Sequence, residues 1–204
     1  TLIHARKKRH KSAPARGAAL KLAAAKHATL ATDILMLYSD KLFWFGQWYR
    51  QLWAESIGKD GYGATPVPFL GTVDQHSQLQ LYLDGPSDKL FTAIMHGYED
   101  IGISVNPSAT SDVSLGALEH RTLGDLINAS QRGTIDALVA AHRPVRTIAT
   151  GELNAAALGA LMMHFMLETI ITADLLGVDP FNQPAVEESK ARTKQYLKNF
   201  TDKC

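Results

Sequence analysis

Short apolar runs alternate along this chain with longer segments whose apolar positions recur at helical spacing. Three apolar runs have strand length: residues 32–38, 90–96 and 144–150. Helices are predicted at residues 13–28, 41–56, 75–83, 123–141 and 153–176, with a closing helix from Pro184. Strands that alternate with helices are typical of an α/β domain with a mainly parallel sheet covered on both faces. The pattern therefore predicts a three-layer αβα sandwich.

The segments between these elements are polar or rich in Gly and Pro. Residues 58–74 and 97–121 are predicted to be loops for that reason. Ligands of parallel α/β sheets bind beyond the carboxyl ends of the strands. We therefore expect a site among the loops that follow Tyr38, His96 and Thr150.

Length and composition are those of a globular protein. With 204 residues, of which 46% are hydrophobic and 20% charged, the chain is long enough to bury a core. We interpret residues 1–204 as one domain, with a helical N-terminal segment (1–28) and a domain body (29–204). The single cysteine, Cys204, allows no disulfide within the chain and no cysteine-based metal site, which favours a reducing, cytoplasmic location.

Two segments bear on whether the chain has a membrane or a nucleic-acid partner. The apolar segment 153–176 contains His164 and Glu168, and ionisable groups at mid-bilayer cost on the order of several kcal/mol. We expect this segment to be a buried helix, with His164 and Glu168 as a satisfied pair rather than metal ligands. Residues 1–32 hold eight Lys/Arg and no acid, but no aromatic side chain interleaves the basic run 6–11. No membrane or nucleic-acid partner is predicted.

Two positions are candidates for proton transfer. Glu55 ends a strongly aromatic helix, where burial beside Trp48 and Trp53 would make its carboxylate a better base near neutrality. The alternative is a surface glutamate at a helix end. His76 lies just inside a predicted helix start, where it either exchanges protons or caps and packs the helix. The sequence contains no G-x-S-x-G, Walker or G-x-G-x-x-G motif, so acyl transfer and nucleotide binding have no support.

Three separated motifs resemble those of bacterial glucose-6-phosphate isomerases. Residues 38–42 and 51–59 are similar to the stretch around that family's catalytic glutamate. Residues 71–78 resemble its catalytic-histidine motif, and residues 183–190 resemble its C-terminal signature, which ends in an active-site lysine. The motifs occur in the family's order. The resemblance implies a sugar-isomerase (SIS)-like domain and the C-terminal half of such an enzyme.

The resemblance also implies a mechanism when it is carried over position by position. Glu55 would move a proton between C1 and C2 of the sugar through a cis-enediol(ate), and His76 would help to open the ring. Lys190 would contact the ring or hydroxyl oxygens, and Gln183 would lie near the phosphate. No metal or organic cofactor is implied. The implied partners are a sugar-phosphate substrate and a second copy of the chain, whose histidine reaches across a homodimer.

One departure from the family concerns the missing half. The family has two sugar-isomerase-type domains, and the first supplies a Ser/Thr-rich phosphate loop and a Gly-Gly-Arg motif. Neither motif occurs in this sequence. We therefore expect a fragment or a truncated product that associates with an N-terminal half and has little activity alone. The alternative is a non-catalytic module that binds sugar phosphates.

Overall fold

The computed structural model describes residues 12–27, 30–106 and 113–201. Among them, four strands form one sheet in the order β2-β1-β3-β4, and all neighbouring strands are parallel. The strands are β1 (Thr32–Leu37), β2 (Thr65–Leu70), β3 (Lys89–Met95) and β4 (Val145–Ala149). The α-helices of the described part are α1 (Ala13–His27), α2 (Phe43–Ile57), α3 (Val73–Asp84), α4 (Leu123–Ala140), α5 (Ala155–Leu176) and α6 (Pro184–Thr201).

Alternating side chains of β1 divide the core into two layers. Leu35 and Leu37 pack against α2 and α5, whereas Ile34 and Met36 pack against α3 and α4. All four are essentially inaccessible to water, and each contributes roughly 1.5–3 kcal/mol on burial. The sheet is thus covered on both faces, which confirms the predicted α/β class.

Strand β2 lies where the sequence predicts a loop, so that prediction is wrong. Its two prolines, Pro66 and Pro68, weaken the strand pattern because they donate no main-chain hydrogen bond. Thr65 N and Gly71 N donate toward β1, at 2.8 Å to Ala31 O and 2.8 Å to Leu37 O. The even-numbered residues between them face the outer edge of the sheet, where a missing N–H group is tolerated.

Helix α5 is buried on one side only. The buried side of the helix includes Leu161, Phe165 and Glu168. On the other side, Ile170 is 41% exposed and Leu175 is 45% exposed. By length and composition alone the helix could cross a membrane, with a mean hydropathy of 1.5, and 28% of that stretch is buried. The expectation of a buried helix therefore holds for one face. The basic residues 6–11 lie outside the described part of the chain.

Candidate functional site

The ends of three helices enclose a cavity of about 670 Å³. Glu55 and Lys59, at the end of α2, line one side, and Asp179 and Gln183, between α5 and α6, line the other. Helices α2 and α5 follow strands and return antiparallel to them, so their C-terminal ends lie at the amino edge of the sheet. The cavity is therefore at the opposite edge from the loops in which the sequence predicts a site, and that expectation does not describe it.

Glu55 presents an exposed carboxylate to this cavity. Its Oε1 accepts a hydrogen bond from Gln51 Nε2 at 3.1 Å, one turn earlier on α2. Trp53 is buried, 3% exposed, and donates from Nε1 to Ala64 O at 3.1 Å. Its ring belongs to the core cluster, against which Trp48 also packs. The expected burial of Glu55 beside these rings is absent.

Lys59 ties together the two walls of the cavity. Its Nζ donates to Glu55 O at 2.8 Å and Ser56 O at 3.0 Å, which are carbonyls of the last turn of α2. The same Nζ donates to Asp179 O at 2.6 Å, in the turn that leads to Gln183. The last carbonyls of a helix lack partners within it, and a lysine after the helix end can satisfy them. Sequence reasoning missed this role of Lys59, although its position after Gly58 was a usable signal.

The C-terminal helix carries the other two residues of the third motif. Gln183 lines the cavity immediately before α6 begins. Lys190 lies further along α6, where its Nζ donates to Glu187 Oε1 at 2.7 Å and its side chain is 54% exposed. It is not among the described residues that line the cavity. The described side chains of α6 are all exposed.

His76 lies at the carboxyl edge of the sheet. It is exposed, on the first turns of α3, directly after β2 ends at Leu70. The neighbouring Gln75 accepts a hydrogen bond from Tyr38 OH at 3.1 Å, which anchors this turn to the end of β1. A six-residue strand spans about 20 Å, so His76 and Glu55 are separated by the height of the sheet. One copy of the chain does not bring them together.

Two linked groups of charges lie buried between α1, the sheet and α5. In the first, Asp33 Oδ2 accepts hydrogen bonds from Lys21 Nζ and Tyr49 OH. Burial lowers the pKa of Lys21, against the attraction of Asp33. Burial and the nearby carboxylate raise the pKa of Tyr49. Sequence reasoning missed these residues, because a lysine in an alanine-rich helix shows no sign of burial.

The second group confirms the predicted His164–Glu168 pair and extends it. His164 Nε2 lies 3.2 Å from Glu168 Oε2. Arg146 also holds the carboxylate from two nitrogens, at 2.8 and 2.7 Å. Burial opposes ionisation, yet hydrogen bonds from His164 and Arg146 hold the pKa of Glu168 at about 2. No group of three or more side chains suited to a metal ion occurs in the described residues.

The parallel sheet, its two helical layers and the cavity at the helix ends define a doubly wound α/β domain. Comparison with curated proteins shows that the chain belongs to the glucose-6-phosphate isomerase family, of which it covers only a part. It is 44% identical over 163 residues to the glucose-6-phosphate isomerase of Rubrobacter xylanophilus, which is 78% of this chain and 37% of that protein. It is 37% identical over 183 residues to the probable glucose-6-phosphate isomerase of Haloarcula marismortui, which is 86% of this chain and 39% of that protein.

Solved structures agree in fold. A hypothetical protein of Thermus thermophilus matches with a TM-score of 0.83 and 33% identity, over 92% of this chain and 46% of that one. A glucose-6-phosphate isomerase of Chlamydia trachomatis matches with a TM-score of 0.71 over 98% of this chain and 41% of that one; at 18% identity it supports the fold alone. No protein-family model matches the chain. The chain spans well under half the length of the curated relatives it matches.

Proposed function

We propose that the chain is the C-terminal part of a cytoplasmic enzyme that interconverts glucose 6-phosphate and fructose 6-phosphate. The observation that carries the proposal is that Glu55 and Gln183 line one cavity, although they are 128 positions apart. The family resemblance implies both as site residues, and each belongs to a different motif. The Glu55 carboxylate is exposed and takes up the C2 proton of the open-chain aldose. The same carboxylate returns a proton to C1 of the cis-enediol(ate), while the C2 hydroxyl loses its proton and O1 gains one, so that the product is the ketose.

We assign His76 to the cavity of a second copy of the chain. Its place at the carboxyl edge of the sheet puts it about one strand length from the Glu55 cavity of its own chain. Ring opening at Glu55 therefore requires a histidine from elsewhere, and a homodimer supplies it symmetrically. Lys190 reaches the substrate only after its exposed contact with Glu187 is exchanged for the sugar oxygens.

Among the described residues, the lining of the cavity offers no free cation to the substrate's phosphate. Lys59 is the only basic residue among the described cavity-lining residues, and three carbonyl oxygens already occupy its ammonium group. The same lining includes three carboxyl side chains, those of Glu55, Asp60 and Asp179. We propose that an N-terminal half supplies the phosphate anchor, which places this chain in a larger assembly. Alone, it turns over glucose 6-phosphate weakly or not at all, since remote binding energy supports the chemical step.

A chimera tests the assignment of the base. Residues 30–204 replace the matching segment of the Rubrobacter xylanophilus relative, and exchange of the substrate's C2 proton is followed in deuterated water. We expect Glu55→Gln to slow exchange about 10²–10⁴-fold, because the amide keeps the shape but accepts no proton. Glu152→Gln, at an exposed glutamate outside the cavity, is the matched control.

Substitutions at His76 and Glu55 should slow different steps of the reaction. His76→Ala should slow reaction of the cyclic substrate more than that of the open-chain form. Glu55→Gln should slow both. If Glu55→Gln exchanged the C2 proton at the parent rate, the assignment of the base would be overturned. If the parent chimera bound substrate without turnover, the result would favour the non-catalytic module.

A further inference from the structure

The ring of Trp44, on the first turn of α2, is exposed to water. It is 77% exposed, and the neighbouring Phe43, whose ring centroid lies 5.1 Å away, is 41% exposed. Phe43 and Asp74 line one small cavity of about 50 Å³, and His76 follows Asp74 by two residues. The two rings and His76 therefore lie at the same edge of the sheet. Exposed aromatic side chains that lie together are typical of protein–protein contact sites.

One exposed face of α2 runs from this aromatic end to the Glu55 cavity. The side chains that recur on it at spacings of three and four residues are Trp44, Gln47, Gln51 and Ala54. Each is at least partly exposed, and none is charged. Trp44 and Glu55 are separated by about 16 Å along the helix axis, which is close to the roughly 20 Å of strand length that separates His76 from Glu55. The two ends of α2 thus match the two separated parts of the site.

The direction in which two copies of α2 pair decides whether His76 can meet Glu55. Under the proposed function, His76 of one chain acts at Glu55 of another, and a symmetric dimer makes that contact twice. Because His76 lies near one end of α2 and Glu55 near the other, two antiparallel copies across a two-fold axis satisfy both contacts at once. A parallel pairing would bring like ends together and satisfy neither. The uncharged face between the ends brings no like charges opposite each other.

Small residues at the Glu55 end leave room for the exposed ring. Ala54 and Gly58 are both exposed and line the Glu55 cavity. A pair centred on Gln51, midway between positions 44 and 58, puts Trp44 of each copy against these two residues of the other. Tryptophans that fill such recesses carry much of the binding energy of interfaces. We propose that α2 packs antiparallel against α2 of a second copy, so that Trp44 of each copy forms a wall of the other's Glu55 cavity. The direction of the pair rests on the proposed function.

Cysteine cross-linking distinguishes this pairing from other contacts. Single cysteines are introduced into the 204-residue chain that carries Cys204→Ser, and the chains are oxidised in dilute solution. Gln51→Cys, at the centre of the pair, should link to its own copy. Trp44→Cys should not link to its own copy but should link to Ala54→Cys when the two are mixed. Gln80→Cys, at an exposed position of α3 on the other face of the sheet, is the matched control and should stay unlinked.

Sedimentation measures what the ring contributes. Trp44→Ala should weaken self-association about 30-fold, the typical effect of a central interface tryptophan. Val139→Ala, at a 56% exposed side chain of α4 on the other face of the sheet, should leave self-association unchanged. Equal effects of the two substitutions, or a parent chain that is monomeric at all concentrations, would overturn the pairing.

The cross-links have their own contrary outcomes. Gln51→Cys that links no faster than Gln80→Cys, or Trp44→Cys that links to its own copy, would overturn the antiparallel arrangement. These readouts need no catalysis, so they are separate from the test of the proposed function. The expected links together with an inactive chimera would support the pairing and count against the proposed function, whereas an active chimera from a chain without these links would do the reverse.

Discussion

Lys59 Nζ lies 2.6 Å from the main-chain oxygen of Asp179, a residue 120 positions further along the chain. The contact joins the end of α2 to the turn between α5 and α6. Since Glu55 is on the first of these segments and Gln183 follows the second, one ammonium group fixes the separation of the two cavity walls.

Removal of this ammonium group should loosen the cavity. Lys59→Met keeps the length of the side chain but leaves three carbonyl oxygens without their donor. We expect a loss of about 1–2 kcal/mol in the free energy of unfolding, with faster amide exchange at residues 177–183. Lys26→Met, at an exposed lysine of α1, should change neither. Unchanged exchange in Lys59→Met would show that the turn is held by other contacts.

The Arg146–Glu168 pair should make the chain sensitive to acid. Glu168 has a pKa of about 2 in the folded chain against an ordinary value of 4.5, so its stabilisation is complete above pH 4.5 and is lost as the pH falls toward 2. Glu168→Gln leaves Arg146 without its charged partner and should cost about 3–5 kcal/mol at neutral pH. Urea unfolding at several pH values measures both effects.

The matched variant for this experiment is Glu152→Gln. Glu152 is an exposed carboxylate near the start of α5, so its loss should change stability little at any pH. If Glu168→Gln kept the acid sensitivity of the parent chain between pH 4.5 and 2, that sensitivity would belong to other carboxylates.

Much of the fold could be predicted from hydrophobic spacing, because most elements bury one clear face. Phe45, Tyr49 and Trp53 of α2 occur at helical spacing, and these three side chains enter one core cluster. Strand β2 could not be predicted, because Pro66 and Pro68 interrupt the local strand pattern. The strand is defined by its pairing with β1. The position of β2 at the edge of the sheet is a property of the assembled sheet, and the local sequence does not reveal it.

The arrangement of the candidate site could not be predicted from the sequence. Glu55 and Gln183 were singled out by motif, and the structure brings them to one cavity. The rule that ligands bind at the carboxyl ends of strands points to the edge of the sheet opposite this cavity, which is formed by helix ends. Asp33 escaped notice because its burial depends on Lys21, which only the packing of α1 brings near.

His96 should give the chain a second, milder pH dependence. It is 6% exposed at the end of β3, its ring packs on Tyr98 at a centroid distance of 4.2 Å, and neither ring nitrogen has a partner in the described residues. Burial and the positive charge of Lys41 lower its pKa below 6.5. The unfolded chain therefore binds this proton first, and stability falls as the pH drops below 6.5.

His96→Phe should remove that dependence, since the ring is kept and the titrating group is lost. Urea unfolding between about pH 7.5 and about pH 5 should show a flatter profile than in the parent. His76→Phe, at an exposed histidine, should keep the parent profile. A parent-like slope in His96→Phe would assign the dependence to another histidine.

Two helical glycines should respond in opposite directions to substitution by alanine. Glycine in a helix interior is normally about 0.5–1 kcal/mol less favourable than alanine. Around Gly133, on α4, no described atom other than the adjacent residues and the nearby backbone of the helix lies within 4 Å of the position that a Cβ would take, so Gly133→Ala should stabilise the chain by about that amount. Gly17, on α1, is different, because a Cβ there would collide with the carboxylate of Glu168 and the guanidinium of Arg146.

Those two groups cannot move aside without cost, because Glu168 is fully buried and held by Arg146 and His164. The helix preference for alanine is smaller than the typical cost of overpacking, roughly 1–3 kcal/mol, so Gly17→Ala should destabilise the chain. Urea unfolding of both variants at neutral pH measures the difference in sign. If both substitutions were stabilising, α1 would not lie against the Arg146–Glu168 pair, and the buried arrangement of Lys21 on the same helix would be in error with it.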